Sequence, residues 1–224
     1  MLFRDRADAG RQLATELSAY AGRPEVIVLG LPRGGVPVAY EVAKTLHAPL
    51  DVFLVRKLGV PGHEELAMGA IASGGVRVVN QDVMRALGIP DEVLETVANE
   101  EQQELERREK AYRGDRPPLD VHDRIAILVD DGLATGSSIR AGIAALRQQH
   151  PARIVVAVPV GAAETCAELN AEADEAVCAR MPEPFFAVGV WFDNFSQTTD
   201  AEVRDFLARA ESELIDKPHS TSIL

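Results

Sequence analysis

Cysteine is nearly absent from the 224-residue chain: Cys166 and Cys178 are the whole complement. Two cysteines cannot build a multi-bridge framework, and these two lack metal-ligand spacing, so a reduced, cytoplasmic setting is the expectation. No apolar run approaches the ~18 residues of a membrane helix, which argues against a membrane role. The opening Met-Leu-Phe-Arg-Asp-Arg lacks the apolar stretch of a secretory leader. Positive charge is also short. A net charge of −12 disfavours nucleic acid as the main partner, because phosphate backbones demand clustered cations. Familiar phosphate and metal loops are missing too. There is no Gly-Lys-Ser/Thr of a Walker A loop and no Gly-x-Gly-x-x-Gly, and Asp130 and Asp131 are adjacent where an EF-hand would alternate its acids.

What is present is ample core material, with 46% hydrophobic residues, and a regular alternation of strand and helix patterns. Asp5 is placed to cap a helix running to about Tyr20. Short, continuously apolar runs at Val26–Leu29, Leu50–Val55, Ile125–Val129, Ile154–Val158, Ala176–Cys178 and Ala187–Trp191 read as strands. Helices are expected over Val38–Leu46, Ser137–Gln148 and Ala162–Ala171. Gly74-Gly75 between Ala67–Ala72 and Val76–Asn80 suggests a hairpin. Asp91–Tyr112 is a long polar helix with acid-before-base i,i+4 pairs, such as Glu104 with Arg108; it reads as a solvated face without chemistry, outside the main core or against another subunit. Thr199-Asp200-Ala201-Glu202 matches a capping box, opening a helix that faces the core with Val203, Phe206, Leu207 and Leu214. The expected architecture is a three-layer α/β/α domain over residues 1–215 with a mostly parallel sheet, a hairpin-and-helix insertion at 58–118, and a flexible tail at 216–224.

One stretch carries specific chemistry. Ile127-Leu128-Val129 leads into Asp130-Asp131, and Gly132-Leu133-Ala134-Thr135-Gly136-Ser137-Ser138 then opens a helix. A small-residue turn at a helix N-terminus leaves backbone N–H groups free to converge on an anion. The hydroxyls of Thr135, Ser137 and Ser138 add donors, and Asp130 and Asp131 offer acceptors for vicinal hydroxyls. Phosphate donors beside diol acceptors describe a sugar-phosphate site. A second turn, Pro32-Arg33-Gly34-Gly35, follows the first strand; its paired glycines permit close backbone approach to an anion, and Arg33 supplies a charged fork. Arg56-Lys57 ends the second apolar run.

The Ile127–Ile139 run resembles the 5-phosphoribosyl-1-pyrophosphate (PRPP) loop of type I phosphoribosyltransferases. The resemblance implies that Leu31–Gly35 form the pyrophosphate loop, with a non-proline cis peptide near Arg33. Arg56-Lys57 are similar to a pair that precedes a closing lid in adenine phosphoribosyltransferases, and His63, Glu64 and Glu65 then fall inside the lid. Phe185–Asp193 resembles the base-binding hood segment of hypoxanthine-guanine enzymes, here 180–200, in which Phe186 would stack on a purine and Asp193 would sit near the metal-pyrophosphate. The motifs Leu-Pro-Arg-Gly-Gly-Val-Pro-Val-Ala, Val-Arg-Lys-Leu-Gly and Val-Asp-Asp-Gly-Leu-Ala-Thr-Gly together look like a bacterial phosphoribosyltransferase group.

The pattern also departs from both parents. Ala134 stands where hypoxanthine-guanine enzymes carry an aspartate, while adenine enzymes lack the Val-Gly-x-x-x-Asp tail, so the acceptor base is not implied. The resemblance implies transfer of a phosphoribosyl group from Mg-PRPP to a nitrogenous, purine-like base. Asp130, Asp131, Arg33 and Lys57 would be catalytic. Mg²⁺ would arrive with PRPP and touch Asp193, Asp130 or Asp131 through water at most. A homodimer is expected. A non-catalytic PRPP or nucleotide sensor of the same fold is the alternative.

Overall fold

A computed structural model describes residues 2–118 and 120–215; the expected tail at 216–224 lies outside them. Five strands, β1 (Val26–Gly30), β2 (Leu50–Val52), β6 (Ile125–Val129), β7 (Arg153–Val160) and β8 (Glu175–Arg180), form a parallel sheet in the order β2-β1-β6-β7-β8. Its strands are apolar on both faces because helices cover both. Along β6, Ile125, Ile127 and Val129 pack with helices α1 (Arg6–Glu16) and α2 (Gly35–Leu46), through Leu13, Leu17, Val38 and Val42. Ala126 and Leu128, pointing the other way, join α5 (Ser137–Gln148) and α6 (Ala163–Glu172) through Ile139, Ile143 and Leu169. This is the three-layer arrangement expected.

Between β2 and β6 lies a smaller body. Strands β3 (Val55–Val60), β4 (His63–Ala72) and β5 (Val76–Val79) form an antiparallel sheet. Gly74 and Gly75, at φ of 86° and 73°, make the β4–β5 turn, as the sequence suggested. The single strand expected over Leu50–Val55 is two strands in two sheets. Phe53 donates its N–H to the Gly30 carbonyl (3.0 Å), and the Leu54 carbonyl then accepts the N–H of Ser73, just past the end of β4 (2.9 Å). Because both partners bury the run, its composition could not reveal the break. A tight turn at Pro61-Gly62 stands where a lid loop was expected, and Leu58 and Val60 are buried. The side chains of Glu64 and Glu65 lie outside those described. Helix α3 (Gln81–Leu87), capped by the Asn80 side chain on the Val83 N–H (3.2 Å), was not foreseen.

Helix α4 (Asp91–Arg113) corrects the reading of a solvated rod. Leu94, Ala98, Leu105 and Tyr112 are buried in a core shared with Leu58, Met68 and Val203, and the buried Arg113 binds Asp51 at 2.9 Å. Helix α7 (Asp200–Ile215) opens with the capping box: Thr199 receives Glu202 N–H on Oγ1 at 3.2 Å and donates its own N–H to the Glu202 carboxylate at 2.7 Å. Val203 and Leu207 face the core, but Leu214 is 37% exposed. The first helix is also shorter than expected: α1 ends at Glu16 and a 3-10 turn carries Ser18–Tyr20.

Two further corrections concern the far edge. Val188–Trp191 is a 3-10 turn, not a strand; the apolar residues there pack on Phe3 and Phe192 rather than pairing in the sheet. Cys166 of α6 and Cys178 of β8 are joined in a disulfide, a single bridge that the reduced setting expected from the sequence did not foresee. Their separation in sequence says nothing of the crossover that packs helix on strand.

Candidate active site

The strand order reverses between β1 and β6: the chain moves outward from β1 to β2 and returns to β6 on β1's other side. At such a switch point the loops leaving the carboxyl ends diverge and open a crevice. The two turns singled out in the sequence leave these two strands side by side. Leu31 donates its N–H to the Val129 carbonyl (2.9 Å), locking the start of one turn to the strand that delivers Asp130 and Asp131. The Pro32–Arg33 peptide is cis. Gly34 and Gly35 serve a purpose the sequence did not disclose: a Cβ on Gly35 would lie 2.7 Å from the Val129 oxygen and 2.9 Å from Asp130 Cα, and one on Gly34 would strike the Asp131 carboxylate. The glycines let one loop press on the other.

The turn after Asp131 is a cradle of backbone donors. Leu133 is the exception to the expectation, since its N–H goes to the Val160 carbonyl (2.8 Å) and its side chain is buried. That bond, and the Leu133 carbonyl accepting Ala162 N–H at 3.1 Å, stitch the loop to the end of β7. Thr165 Oγ1 donates to the Ala134 carbonyl (3.0 Å) and Arg140 Nη1 to that of Thr135 (2.7 Å). A trans peptide directs its N–H opposite to its C=O, so these anchored carbonyls turn the N–H groups of Ala134, Thr135 and Gly136 the other way. Those N–H groups, and those of Ser137 and Ser138 at the start of α5, have no partner among the described residues. Thr135 Oγ1 and Ser137 Oγ lie 3.1 Å apart. Asp130 and Gly132–Ile139 line this cavity and Val188 closes it. Gly132 is required at the rim, because any Cβ there would collide with the Val188 side chain.

A second cavity shares Asp130 and Ser138 and runs the other way, between Leu31, Pro32, Leu54, Val55, Arg56 and Arg108. Arg56 is held by Glu101 of α4 at 2.5 Å. Lys57, next along β3, stands exposed on the opposite face of the strand and does not line this cavity. Arg33 turns toward Asp200 at the start of α7 (3.7 Å), and Asp200 accepts from the Tyr112 hydroxyl at 2.9 Å. Burial and that carboxylate push the Tyr112 hydroxyl up to about 12, so it remains a donor at neutral pH. Arg108, Tyr112 and Asp200 were missed in the sequence; they reach the site from α4 and α7, far along the chain from either loop, and no local pattern marks them.

Burial holds the Asp130 carboxyl well above the ordinary carboxylate range, and Asp131 beside it adds to the effect. Asp131 is also raised by burial, against the opposing pull of Arg6. Arg6, likewise missed, donates its Nε to Asp131 Oδ2 at 2.8 Å. The N-terminal segment continues into the hood. Phe3 donates its N–H to the Trp191 carbonyl (2.9 Å) and accepts from Asp193 N–H (2.8 Å). Phe186 is 80% exposed at the hood's edge, while the rings of Phe3, Phe192 and Phe195 pack together. The Asp193 carboxyl is exposed, with its backbone committed to Phe3.

Magnesium keeps few protein ligands and most of its water. Among the described residues no cluster of three or more His, Cys, Asp or Glu could cage an ion. Arg6 already occupies Asp131 at 2.8 Å, so of the acid pair it is Asp130, which lines both cavities, that could meet an ion delivered on a polyphosphate.

Comparison with known proteins gives the same assignment. The family model for the phosphoribosyl transferase domain matches residues 3–191. A Mycobacterium tuberculosis protein named "Putative phosphoribosyl transferase Rv0571c" is 48% identical over 215 residues, covering 96% of this chain and 48% of its own length. The chain thus spans about half the length of the curated relatives it matches. The crystal structure of TT1426 from Thermus thermophilus superposes with a TM-score of 0.84 at 42% identity, over 93% of this chain and 99% of that one. A family match over residues 3–191, with relatives 42–48% identical over nearly the whole chain, means that the chain belongs to the type I phosphoribosyltransferase family.

Proposed function

We propose that the protein is a pentosyltransferase that moves a 5-phosphoribosyl group from Mg-PRPP to a nitrogenous, purine-like base and releases pyrophosphate. The observation that carries this reading is the pair of cavities meeting at Asp130, one lined by unpaired backbone donors and the other by arginines. A ligand with a single phosphate would need only one of them. PRPP has a monophosphate at one end of the ribose and a diphosphate at the other, with two hydroxyls between.

In this arrangement the N–H groups of Ala134–Ser138 hold the 5-phosphate at the positive end of α5. Asp130 and Asp131 accept from the ribose hydroxyls. As the C1–oxygen bond to pyrophosphate stretches, positive charge grows on the ribose, and the carboxylates lie where that charge develops. Arg56 and the Pro32–Gly35 loop receive the departing diphosphate. Magnesium, when bound, offsets the negative charge of that leaving group. The base enters beside the hood, where Phe186 presents an exposed ring suited to stacking. Most of the rate enhancement in such a site comes from positioning and electrostatics rather than from proton transfer by the protein.

A PRPP sensor is a second reading, but a sensor needs no exposed ring in its hood segment. Incubation with Mg-PRPP and a panel of nucleobases, with pyrophosphate release as the readout, tests the proposal. Base-dependent release is expected. PRPP binding without release for any base would favour the sensor.

A further inference from the structure

The cleft on the diphosphate side of Asp130 has two basic lining residues, Arg56 from β3 and Arg108 from α4. Glutamates of α4 fix both heads. Glu101 takes Arg56 through both Nε and Nη2, each at 2.5 Å. Glu104 takes Arg108 only at Nε, at 2.6 Å. The two terminal nitrogens of Arg108 have no hydrogen-bond partner among the described residues. Its neighbour behaves differently: Arg107 spends both Nε (2.7 Å) and Nη2 (3.0 Å) on the same Glu104, and its side chain is 63% exposed. Of two adjacent arginines on one turn, one is closed on its glutamate and the other holds an open fork toward the cleft. Arg33 and the Tyr112 hydroxyl, one turn along α4 from Arg108, meet at Asp200 (3.7 and 2.9 Å).

We propose that Arg108 of α4 is a diphosphate-binding residue of this enzyme, a fixed cation set over the leaving group by a helix that packs on the β3–β4 hairpin. The proposal rests on the PRPP reading above. The chemistry follows from the geometry. Two parallel N–H donors on a planar guanidinium match two oxygens of a phosphate group, which an ammonium cannot do. The Glu104 contact holds the head in place beforehand, so little side-chain freedom remains to be lost on binding. The role expected for Lys57, ahead of a closing lid, is thereby taken by a half-exposed side chain on a helix packed against the core.

Calorimetric titration of the intact protein with Mg-pyrophosphate, and separately with ribose 5-phosphate, tests this. Arg108→Ala is expected to weaken pyrophosphate binding about tenfold or more, the loss typical of a charged hydrogen-bonded contact, and to leave ribose 5-phosphate within about twofold. Arg108→Lys should fall between. Arg107→Ala, which removes a positive charge from the same turn, should leave both ligands within about twofold. Pyrophosphate binding unchanged in Arg108→Ala, with ribose 5-phosphate still bound, would overturn the role of Arg108 and leave the donor reading standing. Loss of both ligands in Arg108→Ala and also in the shape-matched Arg108→Met would mean a purely structural role and overturn it equally. Binding of neither ligand by the unaltered protein would overturn the donor reading and this inference together.

Discussion

Arg6 Nε donates to Asp131 Oδ2 at 2.8 Å, across 125 positions of sequence, and the same guanidinium donates from Nη1 to the Ser196 carbonyl at 2.6 Å. It also lies 3.9 Å from the centroid of the Phe195 ring. One side chain thus ties an acid of the proposed ribose site to the segment proposed to cover the base. In Arg6→Ala the acid pair loses a close cation and the hood loses an anchor. Hydrogen bonds to charged groups are each worth about 1.5–3 kcal/mol, so a rise of roughly tenfold in KM for PRPP and a lower urea midpoint are expected. Steady-state kinetics at pH 8 beside urea denaturation would check both, and an unaltered KM would remove Arg6 from the site.

The acid pair sets a pH dependence with opposite signs for stability and function. Burial raises the carboxyls of Asp130 and Asp131 in the folded chain. A carboxyl raised on folding binds its proton more tightly in the native state, so the pair's effect on stability is most favourable below the ordinary carboxylate value. It worsens as pH climbs from there through the raised one. Binding of ribose hydroxyls needs the ionised form, and so fails over the same window as pH falls. The Asp130→Asn, Asp131→Asn protein should therefore melt no lower than wild type at pH 8 and yet lose at least about a hundredfold in transfer. A double variant that melts normally and turns over like wild type would end the carboxylates' role.

The cradle was legible because its donors, acids and turn residues are contiguous from Ile127 to Ile139, so local pattern equals local structure. The strands beside it were legible for the same reason: β1 and β6 are short apolar runs, one bounded by Pro24 and Gly30 and the other by Arg124 and Asp130. Side chains that converge from elsewhere left no such trace. Arg108 sits in a helix whose charge pattern is that of a solvated face, and only the packing of Leu105 and Tyr112 on the hairpin turns it inward. Val188 lies in a run that reads as strand, yet its neighbours answer to Phe3 at the other end of the chain.

Gly132 and Val188 make a steric test of the cradle's roof. A methyl group on Gly132 would overlap the Val188 side chain, so Gly132→Ala must push the hood off the phosphate loop. Overpacking of this kind costs about 1–3 kcal/mol. Weaker ribose 5-phosphate binding is expected, with partial recovery when Val188→Ala is added. The pair should be measured as a double-mutant cycle by calorimetry. Strict additivity would show that the contact has no bearing on binding.

The Cys166–Cys178 disulfide closes a short loop behind the cradle, its ends 12 positions apart in sequence. Bridges over loops of this length stabilise by about 3 kcal/mol, chiefly through the unfolded chain. Thr165, adjacent to Cys166, supports the Ala134 carbonyl of the phosphate loop. Reductant should therefore lower the urea midpoint and weaken ribose 5-phosphate binding, while Cys166→Ser, Cys178→Ser protein should show the lowered midpoint with no further response to reductant. Equal midpoints with and without reductant in wild type would contradict this.

Phe186 separates binding of the acceptor from everything else. At 80% exposure it contributes little to the core, so Phe186→Ala should fold and melt like wild type. If its ring stacks on the incoming base, removal costs about 1–3 kcal/mol of base binding, a rise of roughly fivefold to a hundredfold in the acceptor's KM. The KM for PRPP should stay nearly constant, because the acid pair and the cradle lie on the turn from β6 to α5, and the ring does not line that cavity. Measuring both constants on one preparation makes the comparison internal. A larger effect on PRPP than on the base would show that Phe186 belongs to the hood's packing against the donor and not to the acceptor pocket.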